Sequence, residues 1–219
     1  MAAASARPRG PAGCQEERAL AAQGDGAVAG IDEAGRGAWA GPLIAAAVVL
    51  ATPLTASAER LEGLRDSKQL SASQREAYVP AIQSAARAIG VGVMEASEVD
   101  SLGLAEAGRR AMTAAVEALA LPADFLLIDA FRLPALNLPQ RSIVYGDCLI
   151  LSIAAASVIA KVTRDRLMHE LDALEPRYGF ARHKGYGTRE HQDALHRFGP
   201  CPQHRASYAP LRALAAINA

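Results

Sequence analysis

Four acidic residues sit where apolar runs stop. Asp32 and Glu33 follow residues 28–31, Asp129 follows residues 125–128, and Asp147 lies between residues 142–146 and a strongly apolar stretch. Residues at the carboxyl ends of sheet strands commonly converge on one site. Carboxylates gathered in a small volume are costly unless protons or cations compensate them. Magnesium prefers oxygen ligands, and two such ions can activate water and stabilise the leaving oxygen of a phosphodiester. Metal-assisted phosphoryl hydrolysis therefore suits this set. Taken singly, each acid has an ordinary alternative: Asp32 caps a turn, Asp129 opens a loop, and Asp147 is a helix N-cap. Periodicity alone does not establish that they meet.

Two polar segments could hold a substrate. Gly35, Arg36 and Gly37, with Gly41 beyond, lack the dinucleotide-binding spacing, and no Gly-Lys-Ser/Thr follows. A tight glycine turn can instead bring backbone N–H groups against a phosphate or a sugar hydroxyl, with Arg36 as a charged donor. The second segment is Arg182-His-Lys-Gly-Tyr-Gly-Thr188. Its basic residues can hold a phosphate backbone while the Tyr186 ring packs on a sugar or base. Selecting ribose over deoxyribose requires polar groups fitted to the 2′-OH. Either segment can equally be a surface loop. His183 could sit near a scissile bond. His191, His196 and His204 lack zinc spacing and read as surface, cap or core residues.

These residues need a scaffold of strands and helices. Strands are expected over residues 27–32, 42–50, 91–96, 125–128 and 141–145, the second apolar enough to be buried on both faces. Ser71 followed by Gln74 resembles a capping box for a helix to about Ala88. A further helix is expected over residues 99–119, weakly interrupted at Gly108. A strongly apolar helix starts at Asp147 or Ser152 and runs to about Leu174. Residues 189–198 form the last clear helix, ended by Gly199 and Pro200. This alternation fits one α/β domain, a mixed sheet flanked by helices. The expected boundaries are a flexible N-terminal tail over 1–26 with a frayed helix at 16–23, a catalytic domain over 27–210, and a C-terminal tail over 211–219.

Composition narrows the class. The chain has 219 residues, 51% hydrophobic but only 5% aromatic, so alanine and aliphatic side chains must form the core. Formal net charge is zero, which argues against a strongly electrostatic binder, yet the charge is unevenly spread. From Lys161 onward there are 10 Lys and Arg against 6 Asp and Glu, and all five histidines lie there. A basic C-terminal face beside an acidic pocket suits a phosphate substrate. Cys14, Cys148 and Cys201 are odd in number and widely spaced, as expected of thiols in a reducing compartment. No apolar run reaches the roughly 20 residues of a membrane span, and no secretory signal is evident. A cytoplasmic monomer without membrane contact is expected.

The motifs together resemble the bacterial ribonuclease HII family from about Val28 to Tyr208. The resemblance rests on Gly30-Ile-Asp-Glu-Ala-Gly-Arg-Gly37 with Ala40-Gly-Pro42, Asp66-Ser-Lys68 with Leu70-Ser71, Leu127-Ile-Asp129 and Tyr145-Gly-Asp147. It continues through Ala154-Ala-Ala-Ser-Val-Ile-Ala-Lys-Val-Thr-Arg-Asp165, His183-Lys-Gly-Tyr-Gly-Thr188 with His191, and His204-Arg205 with Ser207-Tyr208. It implies a ribonuclease H-like mixed sheet flanked by helices, with a helical C-terminal extension completing a substrate groove.

The resemblance further implies Asp32, Glu33, Asp129 and Asp147 as metal-binding catalytic acids for Mg²⁺ or Mn²⁺, two ions during catalysis. Gly35, Arg36 and Gly37 would contact the ribonucleotide and its adjoining phosphate. Tyr186 would sense the RNA-to-DNA junction, and Lys68, Lys184 and Arg205 would contact backbone phosphates. The implied reaction cuts 5′ of a ribonucleotide in RNA/DNA hybrids or ribonucleotide-containing duplex DNA, leaving 3′-hydroxyl and 5′-phosphate ends. Ala38, Trp39, Ala130 and Cys148 depart from the family's usual residues, without removing a carboxylate. A general metal-dependent nuclease or phosphatase, and a hybrid-binding protein with an inactive site, are the competing readings.

Overall fold

The computed structural model describes residues 7–217. Among them, five strands form one mixed sheet in the order β3-β2-β1-β4-β5: β1 (Val28–Ala34), β2 (Leu43–Leu50), β3 (Ala86–Met94), β4 (Phe125–Asp129) and β5 (Gln140–Ile143). β1, β2 and β3 pair antiparallel, whereas β1–β4 and β4–β5 are parallel. The helices are α1 (Gln15–Ala22), α2 (Leu54–Arg60), α3 (Ala72–Ala85), α4 (Ala96–Leu102), α5 (Leu104–Glu117), α6 (Gly146–Leu149), α7 (Leu151–Leu174), α8 (Phe180–His183), α9 (Arg189–Phe198) and α10 (Ala209–Ile217).

Strand alternation sorts the core into two layers. From β2, Ile44, Ala46, Val48 and Leu50 pack against Val79 and Ile82 of α3 and the alanines of α7. Ala45, Ala47 and Val49 point the other way, onto Ala111, Met112 and Ala115 of α5. All eight residues of β2 are therefore buried, as its unbroken apolar run requires. Small side chains let the layers approach closely. A β-carbon on Gly30 would lie 2.3 Å from the Ser152 carbonyl carbon, so α7 runs directly over β1.

Several expectations are corrected. The stretch expected as a loose tail is built into the domain over its described part. Leu20 of α1 is buried with Val28, Leu127 and Ile153. Buried Glu17 accepts from the Ser152 N–H at 2.9 Å, so α1 caps α7, whose own N-cap residue Ile150 offers no side-chain bond. Residues 1–6 lie outside the described residues. The helix expected over 99–119 breaks at Gly103, not Gly108. Gly103 has φ +76, which ends a helix, while Gly108 sits buried inside α5. Helix α9 is not the last: α10 follows with Leu211 buried, in place of a C-terminal tail, and residues 218 and 219 lie outside the described residues. The capping box of Ser71 and Gln74 forms as expected.

Gly30→Ala is expected to force α7 off β1 and to destabilise the chain by about 2 kcal/mol. For a domain of this size that lowers Tm by about 6 °C. Thermal unfolding measures it, and an unchanged Tm contradicts the close approach.

Candidate functional site

The parallel pair β1–β4 sets Ile31 opposite Ile128, so Asp32 and Asp129 come next, side by side. Ile31 and Ile128 point into the α5 layer. By alternation Asp32 and Asp129 point to the opposite face, where α6 and α7 begin. Asp147 arrives on α6, just after Tyr145 in a left-handed conformation. The Gly146 N–H donates to Asp129 Oδ1 at 2.8 Å and fixes the two segments together. Asp32, Asp129 and Asp147 each present an oxygen within 4.8 Å of the others. Asp66 and Cys148 flank Asp147 in a second group of the same compactness.

Glu33 falls outside this trio. As the residue after Asp32 on a strand it faces the other side, where Arg36 Nη1 lies 3.6 Å from its Oε1. The Arg36 guanidinium in turn stacks over Phe131 at 4.7 Å.

Asp32 is 3% exposed and Asp147 fully buried. Burial pushes the Asp32 carboxyl well above the carboxylate range, and the charges of Glu33, Asp129 and Asp147 push it further. Burial also raises Glu33, against the pull of Arg36, and raises Asp129 together with the charge of Asp147. Asp147 rises through burial and then Asp66, against Lys68 and Arg7. Two protein cations offset part of this charge. Lys68 Nζ lies 3.5 Å from Asp147 Oδ2 and 3.9 Å from Asp66 Oδ1. The Arg7 guanidinium contacts Asp147 and lies 3.1 Å from Asp66 Oδ2. Asp147 Oδ1 and Glu33 Oε2 are buried with no hydrogen-bond partner. Oxygen-only donors, two orphaned carboxylate oxygens and raised acids fit hard divalent cations.

Beside the acids, the glycine turn is built by two buried arginines that have no carboxylate partner among the described residues. Arg205 donates to the carbonyls of Gly35 (2.7 Å), Arg36 (3.3 Å) and Gly41 (2.9 Å). Arg164 donates to Ala40 O, Pro42 O and Lys184 O, each at 2.9 Å. Burial pulls the Arg164 guanidinium down to about 10. Gly35 has φ +97, and a β-carbon there would lie 2.2 Å from Arg164 Nε. Gly37 differs: a β-carbon would meet nothing within 4 Å, so the space over it is open.

The structure thus brings Asp32, Asp129, Asp147, Lys68, Glu33, Arg36 and the turn into one region. It removes Arg205 from the expected phosphate contacts, because its side chain is wholly buried on main-chain carbonyls. Lys184 Nζ contacts His169 Nε2 at 2.8 Å and the Ala181 carbonyl, over a recess that Arg75 and Asp165 also line. Half-buried Tyr186 has Lys161 Nζ 5.5 Å and Arg164 Cζ 5.4 Å from its ring centre. His183 is buried beside Phe180 and His191. Arg7, Asp66 and Arg164 were not singled out in the sequence. Asp66 and Arg164 belong to motifs already noted, while nothing in the chain's first residues marks Arg7. Of the departures, Ala130 adopts φ +53, a conformation that favours glycine, and the Cys148 thiol accepts from Arg7 Nε at 3.4 Å. Trp39 lies 5.8 Å from the His191 ring.

The family model described as Ribonuclease HII matches residues 29–210. A ribonuclease HII of Roseiflexus castenholzii is 54% identical over 208 residues, covering 95% of this chain and 93% of that protein. Another, of Geobacillus kaustophilus, is 54% identical over 196 residues, 90% of this chain and 73% of that protein. The crystal structure of the ribonuclease H2 from Pyrococcus horikoshii superposes with a TM-score of 0.72 at 23% identity, covering 87% of this chain and 98% of that one. That likeness concerns the fold.

All four acids titrate higher folded than unfolded, so the stability they contribute is fully present below about pH 4 and lost as pH rises through their elevated values. Asp129→Asn keeps the acceptor for Gly146 and removes one charge. At pH 8 in chelator it is expected to raise Tm by roughly 3 °C, about 1 kcal/mol. A lower Tm in differential scanning fluorimetry contradicts the crowding.

Proposed function

The chain belongs to the ribonuclease HII family, and from that premise we propose that it cuts 5′ of a ribonucleotide in RNA/DNA hybrids and in duplex DNA with embedded ribonucleotides, leaving 3′-hydroxyl and 5′-phosphate ends. It is a hydrolase of the ribonuclease H type, an endoribonuclease acting on RNA/DNA hybrids. One observation carries the finer reading: three carboxylates, Asp32 and Asp147 buried and Asp129 half-buried, converge within 4.8 Å beside a glycine turn whose Gly37 face is open.

In this reading Asp32, Asp129 and Asp147, with Glu33 as the adjoining acid, would hold Mg²⁺ or Mn²⁺, two ions during catalysis. Such ions, when bound, acidify an attacking water and offset charge on the departing 3′ oxygen. The protein's own residues do the rest. The Gly35–Gly37 turn and Arg36 receive the ribonucleotide, its 2′-OH serving recognition and not attack. The Lys68 ammonium, held beside Asp147, offsets a backbone phosphate. Burial pulls Lys68 down, but Asp32, Asp66 and Asp147 outweigh it, so it stays charged. Tyr186 packs on the nucleotide next to the ribose, and Lys184 meets phosphate further along the groove. Arg205 acts through the turn it anchors.

A cytoplasmic monomer is consistent with free, buried Cys14, Cys148 and Cys201. No helix among the described residues is long and apolar enough to cross a membrane.

End-labelled DNA duplex carrying one ribonucleotide, beside an all-DNA control, tests the reading in Mg²⁺, Mn²⁺ or EDTA. A metal-dependent cut immediately 5′ of the ribonucleotide, with the control intact, is expected. Equal cutting of both duplexes indicates a general nuclease, and binding without cutting indicates an inactive hybrid-binding protein.

A further inference from the structure

The loop carrying Tyr186 is gripped from two sides. Gly185 O accepts from the Trp39 N–H at 2.8 Å and the Ala40 N–H at 3.3 Å, which ties the loop to the glycine turn. The next carbonyl, Tyr186 O, meets His191 Nδ1 at 3.0 Å. His191 Nε2 lies 3.0 Å from His204 Nε2, and His204 Nδ1 lies 2.9 Å from the Cys201 backbone N. The stretch around His204 is itself paired to the turn, through Gly41 N–H to Gln203 O and Arg205 N–H to Trp39 O, both 2.8 Å. The two histidines therefore close a ring of contacts: turn, Tyr186 loop, His191, His204, turn.

One arrangement of protons satisfies the contacts that run from Tyr186 O to the Cys201 N–H, with Cys201 O, 3.2 Å from His204 Nδ1, receiving no proton from it. A carbonyl only accepts, so His191 Nδ1 carries a proton and its Nε2 is the acceptor. His204 Nε2 then carries the proton, which leaves His204 Nδ1 bare to accept the Cys201 N–H. The Cys201 thiol, 3.2 Å away, can donate to the same nitrogen. The reverse tautomers would set a bare nitrogen against Tyr186 O and an N–H against an N–H. His183 is fixed in the same sense, donating from Nε2 to Tyr178 O at 2.8 Å and accepting the Gly185 N–H at Nδ1 (3.2 Å). It stacks on His191 with ring centres 4.4 Å apart.

We propose that His191 and His204 are positioning residues for nucleotide recognition: a neutral, proton-ordered imidazole pair that sets the Tyr186 backbone and so aims the Tyr186 ring into the groove beside Gly37. The proposal rests on the ribonucleotide-directed reading above. Burial supports it, pulling both imidazoles down to about 4 and keeping them uncharged near neutral pH. Tyr178, Phe180 and Trp39 face the pair, and burial outweighs the upward pull of the Glu175 charge on His204.

Two measurements on the full chain test it. In long-range ¹⁵N–¹H spectra at about pH 6.5, His191 is expected as the Nδ1–H tautomer and His204 as the Nε2–H tautomer. The opposite tautomers, or a charged ring, overturn the relay. In Mg²⁺, with the singly ribonucleotide-substituted duplex, His191→Leu is expected to lower kcat/KM by at least roughly 10-fold. In a Tyr186→Ala background the same change is expected to matter by less than about 2-fold. His191→Asn, which keeps a donor near the Nδ1 position, should recover most of the loss. Multiplying effects in the double variant overturn the positioning role, and His191→Asn carries the comparison if the leucine variant fails to fold. Because the spectra do not depend on cleavage, a wild-type chain with these tautomers and no cut at the ribonucleotide overturns the functional reading and leaves the relay standing.

Discussion

Mutual repulsion among closely packed carboxylates is the constraint around which this chain is arranged. Asp32, Asp129 and Asp147 are held with oxygens within 4.8 Å of one another, and Asp66 adds a fourth acid beside Asp147. Such a cluster persists only if the surrounding structure over-determines it. Two parallel strands at the middle of the sheet fix Asp32 and Asp129, and the Gly146 N–H ties Asp129 to the segment that delivers Asp147. The aliphatic layers on both faces hold those strands, and α1 holds the start of α7 through Leu20 and Glu17. The core is the means by which the charges are kept together, and the charges are the reason the site seeks cations.

Around this centre lies a layer organised by buried cations that form no ion pair among the described residues. Arg164 and Arg205 spend their donors on carbonyls of the glycine turn and its neighbours, joining α7 and the C-terminal part to the strand connection between β1 and β2. Planar guanidinium groups suit this use, since each can satisfy several carbonyls at once. The same layer contains the imidazole pair behind Tyr186. The carboxylate trio and the glycine turn with the Tyr186 loop thus sit on different supports, the sheet ends and the arginine-stapled loops, which meet at residues 32–37.

Much of this was legible in the sequence because it follows from local rules. Asp129 ending an apolar strand, the Ser71 box and the helix stopped at Gly199 all depend on near neighbours, and all three appear in the structure, whereas β1 continues past Asp32 and Glu33 to Ala34. What was not legible depends on residues far apart. By resemblance Arg205 reads as a backbone-phosphate contact until its distance to Gly35 and Gly41 is known. The N-terminal stretch reads as a tail because one leucine and one glutamate give no periodic pattern, though both are buried once β1, β4 and α7 are in place. The separation of Glu33 from the trio was implicit in strand alternation, but pairing it with Arg36 required the turn to be built. For His191 and His204 the sequence leaves surface, cap and core open, and the structure buries both, because their shared hydrogen bond links positions 13 residues apart.

Diffraction from a crystal grown with Mn²⁺, recorded at the manganese edge, tests the central claim most directly. The account requires an anomalous peak among the carboxylate oxygens of Asp32, Asp129 and Asp147. A fully occupied peak elsewhere with that trio empty, or no peak at saturating Mn²⁺, would contradict it.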